Sequence, residues 1–400
     1  MNDDQKIDRI IQERSLYQCL ECGKCTASCP RRLSGKEYSP RLLAHKVIAE
    51  REDNAYIENA VWECLTCGMC RERCPSGVEF NRFILEMRTL LAKTKGLKGY
   101  RAHDGALHSW MRMVTAPGLV QNRLAWLGEE LQTDPAGEVA FFTGCAPYFD
   151  VFFAGLQVDT LAIVRDSIRL LNFMDIKPAV LPNERCCGHD LLWTGDRENF
   201  EALCRMNYRS FKDAGVRQLV VTCPECYNVL SEHMPEVIPG FDLEVHLLHD
   251  LLLQEFHKGG LALRPLRKQV VFQDPCRLTR LSAHRRNLRE LLGLIPQLTI
   301  VKEGNGSAGS PCCGNCGFIN CDAYSKQIQV QRLREAQSAG AELLITACPK
   351  CMIHLTCAAR DPLQQGKIKT VIRDLVSVLA ERIEWYSGEE TGKRKARWKK

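Results

Sequence analysis

Apolar positions set the organisation of this chain. Behind Ser39 and Pro40, residues Leu42, Leu43, Val47 and Ile48 recur at helical spacing. Ser39 suits a helix cap and Pro40 the first helical position, so a helix is expected there. Another is expected around Asn81 to Ala92. From residue 137 onward, short apolar runs alternate with longer amphipathic stretches. Glu138 to Thr143 reads as a strand, about Leu156 to Leu171 as a helix, and Ala179 to Leu181 as a short strand. A helix over about Arg197 to Ala214, a strand at Gln218 to Thr222 and an apolar stretch at Leu243 to Leu253 complete the unit. The order then returns, with strands at Val270 to Gln273, Leu298 to Val301 and Leu343 to Thr346. Helices at Arg285 to Leu292 and Ala323 to Ser338 separate them, and Val371 to Leu379 matches the closing apolar stretch. Strands separated by helices predict a parallel sheet in each unit.

The pattern predicts an α+β multidomain chain, with an all-α N-terminal domain followed by two repeated α/β domains. The expected boundaries are 1–100, a linker at 101–136, 137–258, 259–386 and a basic tail at 387–400. Gly96, Gly99, Pro117 and Gly118 mark the joining region as a linker packed on the first domain. His103 and His108 lie there without a nearby ligand partner and read as surface residues.

In parallel sheets ligands gather beyond the carboxyl ends of the strands, and the cysteines fall there. The first unit carries Cys145, then Cys186-Cys187-Gly188, then Cys223-Pro224-Glu225-Cys226, with 40 and 35 residues between. The second carries Cys276, then Cys312-Cys313-Gly314, then Cys348-Pro349-Lys350-Cys351, with 35 and 34 residues between. Chance burial of structural cysteines does not repeat such a pattern. Each unit offers five thiols, whereas a cubane takes four. Neighbours in one loop do not easily serve opposite corners of a regular cube. The adjacent pair suits unevenly placed irons or a thiolate that bridges two metals. A CPxC after a strand also resembles a thioredoxin-type redox pair, but that leaves three cysteines of each unit unexplained.

The N-terminal domain holds two identical runs, Cys19-x2-Cys22-x2-Cys25-x3-Cys29-Pro30 and Cys64-x2-Cys67-x2-Cys70-x3-Cys74-Pro75. This spacing is the bacterial-ferredoxin signature for two [4Fe-4S] cubanes, in which the fourth cysteine of each run serves the other cluster. The expected quartets are therefore Cys19, Cys22, Cys25 and Cys74, and Cys64, Cys67, Cys70 and Cys29. Structural zinc usually takes paired CxxC knuckles without the trailing x3-Cys-Pro. The long helical spacer between the runs resembles the α-helical ferredoxin domain of respiratory iron–sulfur subunits.

Composition narrows the setting. The 22 cysteines in 400 residues, without an export signal, favour metal and redox chemistry over a secreted disulfide scaffold. The richest apolar run, Val139 to Leu156, is broken by Pro147 and Asp150, and the N-terminus is polar. The formal charge of +6 is matched by the six Lys and Arg of the terminal KRKARWKK, so the body is near neutral and no nucleic-acid partner is expected. The chain reads as cytoplasmic. Contact with the inner face of the membrane would come through a partner or weakly through the basic tail.

The cysteine pattern resembles the CCG-domain family, and the whole chain looks like the D-type subunit of heterodisulfide reductase, over residues 15 to about 385. That resemblance implies a non-cubane [4Fe-4S] cluster at each CCG motif. Cys145, Cys186, Cys187, Cys223 and Cys226 would hold one, and Cys276, Cys312, Cys313, Cys348 and Cys351 the other. It further implies that the two homologous halves face each other across a pseudo-twofold. A disulfide clamped between the clusters would be reduced by single electrons arriving through the cubanes.

Two departures lie where a substrate would bind. The family favours a glycine-rich run after the second CCG, and here it reads Cys313-Gly314-Asn315-Cys316-Gly317-Phe318. Arg277 stands where relatives commonly place histidine, after Asp274-Pro275-Cys276. Arg277 and Arg280 could pair with an acidic substrate. His189, which follows the first CCG, is a candidate proton donor to a departing thiolate. Cys204 and Cys357 read as small buried hydrophobes, while Cys316 and Cys321 sit near the second site.

The expected function is that of an oxidoreductase subunit of the disulfide reductase type. The competing reading is an electron conduit for a flavin-dependent glycolate, lactate or glycerol-3-phosphate dehydrogenase. A third is a sulfur-metabolism subunit acting on a protein-bound persulfide or trisulfide. No GxGxxG fingerprint is present. Electrons must come from a b-type cytochrome, a hydrogenase or a flavoprotein, and the substrate would be a small-molecule or protein-bound disulfide.

Overall fold

The computed structural model describes residues 2–51, 55–96, 99–259, 261–282, 284–301 and 311–384. The basic tail lies outside them. Helices Asp3–Glu13, Pro40–Glu50, Ala55–Glu63 and Phe80–Thr94 build the N-terminal domain. Ser39 caps the second of these, its side chain accepting from the amide of Leu42, with Pro40 at the first position. The buried stripe of that helix is Pro40, Leu43, Ala44 and Val47, the i, i+3, i+4, i+7 face. Leu42 falls on the other side and is 40% exposed, so the stripe is shifted from the one expected. The stripe joins a core with Ile7, Ile11, Ile57, Val61, Phe83 and Met87.

Two parallel sheets follow. The first holds β1 (Val139–Phe142), β2 (Gln218–Val221) and β3 (Glu244–Leu247), in that order. The second holds β4 (Lys268–Gln273), β5 (Leu298–Ile300), β6 (Leu343–Thr346) and β7 (Val371–Asp374), in the order β5-β4-β6-β7. The expected strand at Ala179 to Leu181 reduces to one parallel bridge, Ala140 to Ala179. Pro178 and Pro182 flank it and lack the amide hydrogens a longer ladder needs. It occupies the place that β5 fills in the second sheet, so the repeat holds in topology. The helix expected from Leu156 runs instead over Thr160–Phe173, and Asp159 caps it through the amide of Ala162. Gln157, with φ of 50°, breaks the chain from the separate helix Ala146–Phe152 before it.

Residues 101–136 pack into the first sheet domain. Ala102, Leu107, Trp110, Met111, Val114 and Leu131 share one core with β1 and β2. His108 is fully buried on helix Ala106–Met113, contrary to the surface placement expected for it. The apolar positions of that helix turn it inward and carry the histidine with them.

His249, on helix Leu248–His257, is also fully buried, and burial lowers its pKa from 6.5 to about 4. The unfolded chain therefore takes up a proton that the folded chain refuses. Its contribution to stability is complete above about pH 6.5 and is lost as the pH falls toward 4. The His249→Leu variant is expected to lose up to about 3 kcal/mol less stability over that window. Denaturant titration at several pH values measures this, and equal acid lability of the two proteins would show that His249 accepts its proton inside the fold.

Candidate functional site

The two ferredoxin-type loops share one backbone conformation. Glu21 and Thr66 have φ of 50° and 46°, and Gly23 and Gly68 have φ of 76° and 77°. Cys29, Cys64, Cys67 and Cys70 line a single small cavity with Thr66 and Asn81. Cys29 thus lies beside three cysteines of the second run. The other set is open to solvent: Cys22 is exposed and Cys19, Cys25 and Cys74 are half-buried.

Each sheet delivers its cysteines at the carboxyl ends of its strands. In the first half the thiols are close neighbours in the order Cys145, Cys186, Cys187, Cys226 and Cys223. In the second the order is Cys312, Cys313, Cys351 and Cys348, with Cys276 alongside. The glycine of each CCG is needed for its backbone. Gly188 and Gly314 have φ of 82° and 84°, and a Cβ on them would lie 2.9 Å from Phe200 Cδ2 and from the Ser325 carbonyl oxygen. The halves differ in one contact. Cys145 neighbours Cys186, whereas Cys312, the counterpart of Cys186, packs against Cys67 of the N-terminal domain. Gly68 lets that loop approach, since its Cβ would sit 3.1 Å from Leu281 and 3.2 Å from Arg280.

Between the two thiol groups lies a buried charged network. Lys350, from the second CPxC, contacts both Asp190 and Glu225, the latter from the first CPxC. Asp190 is held well below the usual carboxylate range by Lys350 and His189, against the effect of burial. His189 Nε2 lies 3.0 Å from Arg277 Nε, which can only donate. The ring proton is therefore on Nδ1, which donates to Asp190 at 2.9 Å and faces Glu225 at 3.2 Å. Burial lowers the His189 pKa to about 4, so the ring is neutral, with both nitrogens engaged. Arg277 also donates to the Thr66 carbonyl oxygen and hydroxyl, each at 2.8 Å, and to Cys316 Sγ at 3.1 Å. Its guanidinium stacks 4.2 Å from the centre of the Trp193 ring. His189, Asp190 and Glu225 are close enough together to hold a cation, but the Lys350 ammonium already stands against both acids.

The donor chemistry fits iron–sulfur clusters. Soft thiols gather in four sets, of which all but the set around Cys22 are largely buried. Burial pushes Cys276 and Cys29 up to about 12, whereas hydrogen bonds from Cys312 and Cys351 pull Cys313 down to about 6. The buried cations Arg277 and Lys350 stand beside these groups, where an anionic thiolate cluster needs compensation.

Sequence reasoning missed three groups. Lys350 and Glu225 occupy the variable position of each CPxC, and only the fold brings them together. Arg123, in the region read as a linker, clamps the loops that carry Cys145 and Cys186. It donates to Thr143 Oγ1 at 2.6 Å, to the Gly144 carbonyl at 2.8 Å and to Glu184 Oε1 at 2.7 Å. Arg280, expected as a substrate partner, is buried against the ferredoxin loop, 3.6 Å from Glu72. Cys204 is fully buried, as its helical position suggested. Cys321 accepts from Asn315 Nδ2 at 2.7 Å, and Cys357 faces Lys326 at 3.3 Å.

Residues 12–78 match the family described as a 4Fe-4S dicluster domain, and residues 139–231 and 270–356 each match the cysteine-rich domain CCG. The D-type subunit of the dihydromethanophenazine:CoB–CoM heterodisulfide reductase of Methanosarcina barkeri is 24% identical over 419 residues, which cover 94% of this chain and 96% of that one. An uncharacterized iron-sulfur protein of Methanocaldococcus jannaschii is 28% identical, covering 94% of this chain and 75% of its own length. The C-type subunit of the anaerobic glycerol-3-phosphate dehydrogenase of Escherichia coli K12 is 28% identical over 261 residues, covering 62% of this chain and 58% of that one. A hypothetical protein from Helicobacter pylori has a crystal structure with the same fold, at TM-score 0.54 and 12% identity, covering 98% of this chain and 74% of that one. Among the described residues no helix is long and apolar enough to cross a membrane. Two ferredoxin-type cysteine runs followed by two cysteine-rich domains make this chain a CCG-domain iron–sulfur protein, similar over most of its length to the D-type subunit of heterodisulfide reductase.

Proposed function

We propose that this iron–sulfur protein reduces a disulfide between its two CCG sites. The observation that carries the reading is the Lys350–Glu225 contact, which joins the two CPxC motifs in one compartment. Cys145, Cys186, Cys187, Cys223 and Cys226 would hold one non-cubane cluster. Cys276, Cys312, Cys313, Cys348 and Cys351 would hold the other, and the two crossed quartets would hold cubanes. Bound clusters would supply single electrons. A disulfide that takes up two electrons and two protons leaves as two thiols. Lys350 and Arg277 keep positive charge where the departing thiolates form. His189 fixes Arg277 through Nε2, so its role in this site is positioning. The solvent-facing quartet around Cys22 is the side that a redox partner reaches.

Anaerobic iron analysis should find about sixteen irons per chain, at four per cluster. With a reduced dye as donor, the holoprotein should release thiols from small disulfides. Iron near eight, or dye oxidation without thiol release, overturns the reading. The second case would favour a conduit for a flavin-dependent dehydrogenase, supported by the likeness to the glycerol-3-phosphate dehydrogenase protein. The crossed quartets have their own test. Cys74→Ser should damage the cluster of Cys19, Cys22 and Cys25 in EPR spectra, and damage confined to the cluster of Cys64, Cys67 and Cys70 would refute the crossing.

A further inference from the structure

A cavity of about 270 Å³ lies beside the second sheet domain, outside all eighteen motif cysteines. Phe153, Leu156, Phe318 and Ile353 form its apolar walls. Cys321, Cys357, Lys326 and His354 add the polar and sulfur-bearing surface. Its mouth passes Tyr100, which is 61% exposed. The volume is just below the roughly 300–1,000 Å³ of sites for drug-sized ligands, so it suits a short chain.

The cavity points at the buried network. Lys350, His354 and Cys357 lie on one face of helix Pro349–Ala359, at i, i+4 and i+7. Seven residues of helix rise about 10 Å. Cys357 is thus at the outer end and His354 at the inner wall, with Lys350 one turn further in. Phe318 forms the partition: its ring centre is 5.2 Å from that of His354 and 5.0 Å from Lys350 Nζ. The partition loop is under backbone strain, because Phe318 and Asn320 have φ of 51° and 60°. Asn315 ties the cavity to the second thiol group, with its amide on Cys321 and its carbonyl oxygen 3.9 Å from Cys313 Sγ.

Charge gives the cavity a preference. Asp322 on its wall is taken up by Arg31, through two contacts of 2.7 Å. Among the described residues the carboxylate partner of Lys326 is Asp361, at 3.7 Å, and the ammonium otherwise faces the Cys357 carbonyl and thiol at 3.4 and 3.3 Å.

We infer that this cavity binds the non-reacting arm of a small acidic thiol derivative. Its apolar chain lies along Phe153, Leu156 and Ile353, its carboxylate meets Lys326, and its sulfur end faces the Phe318–His354 partition. The sulfur end rests on the disulfide-reducing reading, whereas occupancy by an apolar acid does not.

The test is alkylation of Cys357 by iodoacetamide in the anaerobic holoprotein, followed by peptide mass spectrometry. The probe is 3,3′-thiodipropionate, a thioether that carries the same arms as the disulfide with one sulfur fewer and cannot exchange with a thiol. At ten times its dissociation constant it should slow labelling about tenfold, following 1 + [L]/Kd. Neutral thiodiethanol and cationic bis(2-aminoethyl) sulfide should protect far less, and Lys326→Gln should abolish the advantage of the acid. Equal labelling with all three probes overturns the inference, as does equal protection by all three. If thiodipropionate protects while the corresponding dithiodipropionate is not reduced, the disulfide-reducing reading fails and the cavity site stands. Reduction without protection removes the cavity site and leaves the disulfide-reducing reading in place.

Discussion

Cys187→Ser and Cys313→Ser should each remove nearly all thiol-producing turnover while leaving the ferredoxin cubanes visible by EPR. Each residue is the middle link of its group. Cys187 neighbours both Cys186 and Cys226, and Cys313 both Cys312 and Cys351. A serine hydroxyl is a poor ligand for a soft metal and cannot bridge its neighbours in the same way. The two sites lie on one compartment, joined through Lys350 and Glu225, and a disulfide needs two electrons delivered there. Loss of either site should therefore cost about as much as loss of both, the non-additive pattern of groups acting as a unit. The measurement is thiol release with a reduced dye, for each single variant and the double variant. If one single variant keeps substantial activity, the two-site mechanism is wrong and the conduit reading takes its place.

The cysteine sets were legible because ligand spacing is local. Each CxxCxxC run, CCG pair and CPxC lies within a few residues, and the backbone of one loop arranges it. Ser39 and Pro40 were legible for the same reason. What escaped depends on long-range packing. His108 reads as polar, yet its helix is held inward by Leu107, Trp110 and Met111. Ala179 to Leu181 has the composition of a strand, yet two flanking prolines leave it one bridge. Lys350 and Asp190 are 160 residues apart, and nothing near either signals the other. Arg123 looked like part of a linker, although it holds the loops of the first thiol group from 61 residues before Glu184. The pseudo-symmetry itself concealed these pairings. The acid of one CPxC and the base of the other are unlike residues at equivalent positions, and they complement each other only when the halves face one another.

Lys350→Met should be among the most destabilising single changes outside the cysteines, at about 3–5 kcal/mol. The ammonium is almost wholly buried, and so is Asp190, with Glu225 close behind. Removing the cation leaves two carboxylates without their common counter-charge beside a neutral His189 that can offer one proton. The cost is mainly that of stranded charge. A triple variant, Lys350→Met with Asp190→Asn and Glu225→Gln, should therefore recover most of the stability, because a neutral network of similar shape is often as stable as the ionic one. The amide oxygens of Asn and Gln can still accept from His189 Nδ1. Denaturant midpoints of the holoproteins measure the stability, and dye-driven thiol release measures the chemistry. If Lys350 holds positive charge for the departing thiolates, the triple variant should be stable but slow. Full recovery of both would make the network purely structural, and a single-variant loss below about 1 kcal/mol would mean that Lys350 does not hold the two halves together.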